Sequence, residues 1–107
     1  MFDMFKSAMG FGPSIDYAAL KEEGVIVVDV RSPMEYQNGC CSGSINIPLE
    51  QLNQKLNKIK DKDCAIITCC VSGARSGSAK RALEAKGYKK VYNGGNWQQV
   101  ARSLEAI

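Results

Sequence analysis

Two adjacent cysteines begin the part of this 107-residue sequence whose residue types and spacing indicate chemistry. Cys69 and Cys70 follow the apolar run Ala65-Ile66-Ile67-Thr68, which predicts a buried strand, and they precede Val71-Ser72-Gly73-Ala74-Arg75-Ser76, where a helical pattern begins. A thiol at the end of a strand, on a short loop that enters a helix, lies where backbone N–H groups converge. Such groups lower a thiol pKa and bind anions. The sequence therefore predicts a cysteine nucleophile, and both cysteines are candidates.

The chain contains no histidine, which limits how this nucleophile is activated. Ser-His-Asp and Cys-His catalysis are excluded, so activation must come from backbone dipoles and from Arg or Lys. The two Cys-Cys pairs, at 40–41 and 69–70, lack the usual gap between zinc ligands. We predict neither a metal site nor a cofactor.

Length, charge and hydropathy set the broad class of the protein. A chain of 107 residues predicts one domain, and its net charge of +3 is mild. Its basic residues are not interleaved with aromatic ones, which argues against nucleic-acid binding. No segment approaches the roughly 18 apolar residues of a membrane span, and Asp3, Lys6 and Pro13 interrupt the N-terminus before a signal peptide could develop. We therefore expect a cytoplasmic protein with no membrane contact and mostly reduced cysteines.

Strand and helix signals alternate along the chain. A helix is predicted over residues 17–23, with Asp16 as its N-terminal cap and Gly24 as its stop. Residues 25–30 form a β-branched run that is apolar until Asp29, as in a central parallel strand. The later predicted elements are a helical turn at 33–36, a strand at 45–47, a helix along Leu49, Leu52, Leu56 and Ile59, a strand at 64–68, a helix from Arg75 to Gly87, a strand at 91–92, a turn at 93–95, and a helix along Trp97, Val100, Ala101 and Leu104.

This alternation predicts an α/β fold in which a mainly parallel sheet is covered by helices on both faces. Residues 13–107 are assigned to this domain, and residues 1–12 to an apolar N-terminal segment that contains all three Phe residues. Sites in such sheets lie at the carboxyl ends of the strands. Three segments, 29–31, 69–75 and 93–95, are predicted to meet there.

Four motifs, in the right order between about Ile15 and Leu104, resemble the rhodanese-like family. Asp29-Val30-Arg31 followed by Glu35-Tyr36 is similar to the family signature, and Gly43-Ser44-Ile45-Asn46-Ile47-Pro48-Leu49 resembles a second conserved segment. Cys70-Val71-Ser72-Gly73-Ala74-Arg75 resembles the six-residue active loop, and Asn93-Gly94-Gly95 the C-terminal glycine pair. The resemblance is strongest to small single-domain rhodaneses of the phage-shock type, and it implies the family's three-layer sandwich.

The resemblance implies a thiosulfate sulfurtransferase with Cys70 as its catalytic residue. A donor's sulfane sulfur would pass to Cys70 as a persulfide, and from there to cyanide, a thiol or a sulfur-accepting protein. Backbone N–H groups of the loop would hold the persulfide anion, and Arg75 would add positive charge for thiosulfate oxygens. The residues of this loop are Val71, Ser72, Gly73, Ala74 and Arg75. Asp29 and Arg31 are expected to support the site as a structural pair, with Asp29 also holding the loop through backbone N–H groups.

Two alternatives stay open. Counted from Cys69, the string Cys, five residues, Arg, Ser resembles the phosphate-binding loop of cysteine-dependent phosphatases and arsenate reductases. A phosphatase also needs an Asp general acid, and nothing in the sequence singles one out. The second alternative is a non-catalytic binding module that kept the fold. In the favoured interpretation the Cys69 side chain points away from that of Cys70 and is buried and inert, and Cys41 belongs to the core.

Overall fold

Four parallel strands form the central sheet of the computed structural model, which describes residues 14–107. The strands are β1 (Ile26–Asp29), β2 (Ile45–Asn46), β3 (Ala65–Cys70) and β4 (Lys90–Asn96), and their order across the sheet is β2-β1-β3-β4. Strand β3 is central and pairs with β1 on one side and β4 on the other. The predicted apolar segment, residues 1–12, lies outside the described residues.

Within residues 14–107 four α-helices and two short 3-10 helices precede, connect and follow the strands. The helices are α1 (Tyr17–Glu23), α2 (Pro33–Gln37), α3 (Ala74–Ala85) and α4 (Trp97–Glu105), and the 3-10 helices are Leu49–Gln54 and Leu56–Lys58. Helix α1 begins and ends as predicted, because the Asp16 carboxylate accepts a hydrogen bond from the Ala19 N–H at 3.1 Å and Gly24 adopts a φ of +88°. No helix within residues 14–107 is long and apolar enough to cross a membrane.

The two faces of the sheet carry separate hydrophobic clusters. Val28, Ile66 and Cys70 pack on one face with Ala79 and Leu83 of α3 and with the 3-10 helices. The opposite face is covered by α1 and α4 through a cluster of Leu20, Val27, Cys41, Ala65, Ile67, Cys69 and Val100. Helices therefore cover both faces of a parallel sheet, and the predicted three-layer α/β fold is confirmed.

The structure differs from the sequence-based prediction in the segment after Pro48. Residues there form two 3-10 helices rather than one α-helix. The chain leaves helical geometry at Lys55, which has φ −120° and ψ +24°, and this break separates the two 3-10 helices while Leu52 and Ile59 still enter the core.

A second difference concerns residues 93–95, which were predicted as a turn but lie within β4. The strand continues through them by means of a β-bulge: Thr68 pairs with Asn93 and Cys69 with Gly95, so Gly94 is the extra residue. A Cβ at Gly94 would lie 2.6 Å from Val100 Cγ2 and 2.7 Å from Ile67 Cγ2. Only glycine lets the bulged backbone pack this closely against the second cluster.

We predict that Gly94→Ala lowers the free energy of unfolding by about 1–3 kcal/mol, because the added methyl group overpacks the core. Urea denaturation would measure the change. Gly77→Ala is the matched control: its Cβ would meet Asn93 Nδ2 at 3.2 Å and Arg81 Nη1 at 3.7 Å rather than core atoms below 3.0 Å, so we expect a smaller loss of stability. Equal stability of the two variants would contradict the prediction.

Candidate active site

Cys70 is the last residue of β3, and hydrogen-bond donors surround its sulfur. The Gly73 N–H donates to Sγ at 3.0 Å and the Ser76 N–H at 3.4 Å. The Ser76 hydroxyl oxygen lies 3.3 Å from the same sulfur. Both Cys70 and Ser76 are fully buried. The sulfur therefore lies inside a cradle of protein donors, on the same face of the sheet as α3.

The start of α3 explains why these donors are free to meet the thiol. Gly73 precedes the helix with a φ of +100°, a conformation that glycine adopts at little cost, and no side chain caps the helix. The first N–H groups of a helix have no partner within the helix and lie at the positive end of its dipole. The Cys70 sulfur occupies the position that a capping side-chain oxygen would normally take.

The surroundings of Cys70 act on its pKa in opposite directions. Burial raises the pKa of the thiol, whereas hydrogen bonds from Ser76, Gly73 and Ser72 lower it by more, so the net shift is below the usual value. A lowered pKa increases the fraction of thiolate, which is the nucleophilic form.

Cys69 has the opposite environment. Its side chain packs in the cluster of α1 and α4 and is fully buried, as predicted, and Cys41 lies in the same cluster. Burial raises the pKa of the Cys69 thiol well above its usual value, and the nearby Asp29 carboxylate adds to this effect. Cys69 is therefore a neutral core thiol.

Two asparagines of β4 hold the carbonyl groups of the loop. Asn93 Nδ2 donates to the Gly73 carbonyl at 3.2 Å, and Asn96 Nδ2 donates to the Val71 carbonyl at 3.0 Å. Residues three apart on a regular strand face opposite sides of the sheet. The bulge at Gly94 adds one residue between them and allows both side chains to reach the loop. The two bound peptide units, 71–72 and 73–74, flank the unit that carries the Gly73 N–H, and they hold the loop backbone around it.

Arg75 ends the loop, and its guanidinium group is paired with Glu35 of α2. Nη1 lies 2.7 Å from Oε1 and Nη2 lies 3.1 Å from Oε2 of that carboxylate. Glu35 Oε1 also accepts the Ser32 N–H at 3.0 Å, which completes the capping box of α2. The sequence analysis treated the Arg75 charge as available for a donor's oxygens, but in the structure this charge is already matched by a carboxylate.

Asp29 and Arg31 form the buried pair that was expected behind the site. Arg31 Nη2 lies 2.7 Å from Asp29 Oδ2, with only 4% and 0% of the two side chains exposed. Arg31 also donates to the Gly39 carbonyl at 2.6 Å, and its guanidinium carbon lies 4.5 Å from the centroid of the Trp97 ring. The pair thus joins three parts of the fold, namely β1, the segment that follows α2, and helix α4.

One expectation for Asp29 is wrong. Its carboxylate does not hold the active loop: every side-chain hydrogen bond that it receives within residues 14–107 comes from Arg31, including the backbone N–H of that residue at 3.0 Å. The reason is geometric, because Asp29 is the last residue of β1 and its carboxylate faces the side of Arg31 and Trp97 rather than the side of α3.

The structure adds four residues that the sequence analysis did not assign to the site, namely Glu35, Ser76, Asn93 and Asn96. All four stand in or directly after the quoted motifs. Their types alone did not reveal which partners they would meet. Across residues 14–107, no group of three or more His, Cys, Asp or Glu side chains is arranged to hold a metal ion.

Comparison with known proteins gives the family. A sequence model described as the rhodanese-like domain matches residues 16–98, which include β1 to β4 and the Cys70 loop. The chain belongs to the rhodanese-like domain family. Among solved structures, a rhodanese with anions from Escherichia coli superposes with a TM-score of 0.69 at 34% identity, covering 73% of this chain and 93% of that one.

Rhodanese-like relatives with functional names are also similar to this chain. The thiosulfate sulfurtransferase PspE of Escherichia coli is 36% identical over 75 residues, which are 69% of this chain and 72% of that protein. The thiosulfate sulfurtransferase GlpE of Pseudomonas fluorescens is 32% identical over 75 residues, with 70% of this chain and 68% of that protein covered.

The ion pair on the rim of the site predicts an acid titration. The hydrogen bond from Arg75 and then that from the Ser32 N–H lower the pKa of Glu35 from its ordinary 4.5 to about 2. Because the pKa is depressed in the folded state, the pair stabilises the fold above pH 4.5 and loses this effect as the pH falls toward 2. NMR titration of the Glu35 carboxyl carbon would measure this pKa.

The matched variant for this titration is Arg75→Met, in which we expect the pKa of Glu35 to rise but to stay below 4.5, because the Ser32 N–H remains. Arg75→Lys keeps a positive charge but loses the two-point contact. In this variant we expect the pKa of Glu35 to lie between its values in the wild type and in Arg75→Met. A wild-type Glu35 that titrates at its ordinary value would contradict the ion pair.

Proposed function

We propose that this protein is a sulfurtransferase that carries sulfane sulfur as a persulfide on Cys70. The observation that supports this most directly is the convergence of the Gly73 N–H, the Ser76 N–H and the Ser76 hydroxyl on a single buried sulfur. Membership of the rhodanese-like family and similarity to proteins named thiosulfate sulfurtransferases point to the same chemistry.

In the first step the Cys70 thiolate attacks the outer sulfur of thiosulfate. A bond forms between Cys70 Sγ and that sulfur, the original sulfur–sulfur bond breaks, and its electron pair leaves with sulfite. The cysteine becomes a persulfide anion, so the three negative charges of thiolate and thiosulfate are conserved. In the second step cyanide or an acceptor thiolate attacks the outer sulfur and restores the Cys70 thiolate.

The loop supplies what these steps need. Charge moves from Cys70 Sγ to the new outer sulfur, and residues 71–75 offer backbone N–H groups around this position. Arg75 lies at the rim, where an anionic donor competes with Glu35 for the guanidinium group. Since Cys70 is fully buried, the loop must move outward before a donor can reach the sulfur.

The geometry argues against phosphate chemistry at Cys69. The Cys69 side chain lies on the α1 and α4 face of the sheet, whereas the loop donors bind Cys70 on the other face. Its raised pKa also removes the thiolate that a phosphatase requires. A non-catalytic binding module would have no need for a thiol of lowered pKa, which favours catalysis at Cys70.

The small side chains of Val71, Ser72 and Ala74 provide no strong specificity element at the mouth of the loop. We propose thiosulfate as a donor from the names of the relatives, and cyanide or a thiol as acceptor, which includes the thiol of a sulfur-accepting protein. A cytoplasmic location remains a prediction from the sequence.

We predict that Cys70→Ala abolishes thiosulfate:cyanide transfer, while the matched variant Cys69→Ala retains most of it, because only the first removes the cradled sulfur. Thiocyanate formation would measure transfer, and hydrolysis of an aryl phosphate would be followed in the same samples. Transfer that survives in Cys70→Ala, or phosphatase activity that is lost only in Cys69→Ala, would overturn the proposal.

The covalent intermediate gives an independent prediction. After treatment with thiosulfate and removal of the excess, the peptide containing Cys70 should gain about 32 Da, the mass of one sulfur atom, and should lose it on addition of cyanide. Intact-protein and peptide mass spectrometry would detect the change. Cys70→Ala should show no such gain, and a stable gain at Cys40 alone would count against Cys70 as the carrier.

A further inference from the structure

The amide of Asn93 lies next to the nucleophile's hydrogen-bond partner, and its orientation is fixed by its other contacts. The backbone N–H of Gly95, which can only donate, lies 3.0 Å from Oδ1, and the Gly73 carbonyl, which can only accept, lies 3.2 Å from Nδ2. Oδ1 is therefore the atom that lies 2.6 Å from the Ser76 hydroxyl oxygen. Since Oδ1 has no hydrogen, Ser76 must be the donor in this bond.

A serine hydroxyl has only one hydrogen to donate. While that hydrogen is directed at Asn93, Ser76 presents a lone pair to Cys70 Sγ, 3.3 Å away. A lone pair suits a protonated thiol, which can donate to it, and opposes a thiolate, which needs a donor. When Cys70 loses its proton, the Ser76 hydroxyl must rotate from Asn93 to the sulfur.

We propose that Asn93 is a positioning residue that competes with the Cys70 sulfur for the Ser76 hydroxyl hydrogen, and so controls the balance between thiol and thiolate. This inference rests on the proposed role of Cys70 as the sulfur carrier. Ser76 and Cys70 are both fully buried, so bulk water is not in contact with the hydroxyl as a replacement donor or acceptor. The Thr68 hydroxyl, which donates to the Ser76 carbonyl at 2.8 Å, holds the first turn of α3 in place.

The acceptor of the Ser76 hydroxyl hydrogen changes as the transfer reaction proceeds. The attacking thiolate receives the Ser76 hydrogen together with the Gly73 and Ser76 N–H groups. After the outer sulfur is bound, the negative charge resides on that atom, and Sγ becomes a weak acceptor between two bonds. The hydroxyl then returns to Asn93. In each half-reaction the hydroxyl thus changes its acceptor by rotation about its own Cβ–Oγ bond.

Other charges near the thiol are left unchanged by substitutions at Ser76 or Asn93. Asp29 is paired with Arg31 and Glu35 with Arg75, so the ion pairs closest to the site are internally balanced. The titratable and charged groups on the elements packed around the thiol are Asp29 at the end of β1 and Arg31 after it, Glu35 and Tyr36 on α2, Glu50 and Lys58 on the 3-10 helices, Cys69 on β3, Arg75, Lys80, Arg81 and Glu84 on α3, and Lys90 and Tyr92 on β4.

The test is a double-mutant cycle read by the pKa of Cys70. Protein labelled with ¹³Cβ-cysteine would be titrated by NMR, which separates Cys70 from the other four cysteines without needing access to the buried sulfur. We expect Ser76→Ala to raise the pKa by about one unit, since the thiolate loses a charge-assisted hydrogen bond. Asn93→Ala should lower it by about 0.5–1 unit, because the hydroxyl is released to the sulfur.

The double variant decides between coupling and a purely structural role. In the Ser76→Ala background, Asn93→Ala should leave the pKa of Cys70 unchanged, because no hydroxyl remains to compete for. Asn96→Ala is the matched control: it removes the other tie between β4 and a loop carbonyl but does not touch Ser76, and it should not lower the pKa. An equal shift from Asn93→Ala in both backgrounds, or a raised or unchanged pKa in the single variant, would overturn the proposal.

A second substitution keeps the test valid if Asn93→Ala does not fold. Asn93→Asp retains the acceptor and strengthens it, so it should raise the pKa of Cys70 more when Ser76 is present than when Ser76 is alanine. Equal increases would again overturn the proposal. The titration uses no sulfur donor, so it reports on Asn93 even if Cys70 transfers no sulfur. Conversely, a loss of sulfur transfer in Cys70→Ala would still support the proposed function even if the titration showed no coupling between Asn93 and Ser76.

Discussion

The alternation of side chains along β3 is the constraint on which the site depends. Successive residues of a strand point to opposite faces of the sheet, so two adjacent cysteines cannot share an environment. Cys70 meets the N-terminus of α3, whereas Cys69 enters the hydrophobic layer beneath α1 and α4. One position in the strand separates a thiol with a lowered pKa from one with a raised pKa. A shift of the strand by one residue would exchange these roles.

Strand β4 gives the loop its shape, although it contributes no group that touches the sulfur. Its bulge at Gly94 brings Asn93 and Asn96 to the same side, where they bind the carbonyl groups of Gly73 and Val71. A loop of small residues has little side-chain packing of its own to hold one conformation. The two peptide units that β4 binds, 71–72 and 73–74, lie on either side of the unit that carries the Gly73 N–H, so this N–H is held in place from both sides. The rigidity of the site therefore comes from the neighbouring strand.

The sequence predicted those features that depend on local pattern. Hydrophobic runs and caps located α1, β1, α3 and α4, and the alternation rule predicted the separate fates of Cys69 and Cys70. Features that depend on contacts between distant residues were not predictable in this way. The Arg75–Glu35 pair joins residues 40 positions apart, and no rule of spacing selects that carboxylate. We predicted a turn at Gly94 because glycine pairs favour turns and β-bulges alike. Only the packing of Gly94 against Ile67 and Val100 distinguishes the bulge from a turn.

The complete burial of Cys70 has a consequence for its survival in the presence of oxidants. Oxidation of a cysteine requires both thiolate character and contact with the oxidant. Hydrogen bonds lower the pKa of Cys70, but its complete burial withholds contact with an oxidant, whereas Cys40 is exposed on the surface. Peroxide and small disulfides therefore reach the Cys40 thiol more readily than the Cys70 thiol. The burial that surrounds the Cys70 sulfur with hydrogen-bond donors therefore also shields it from oxidants.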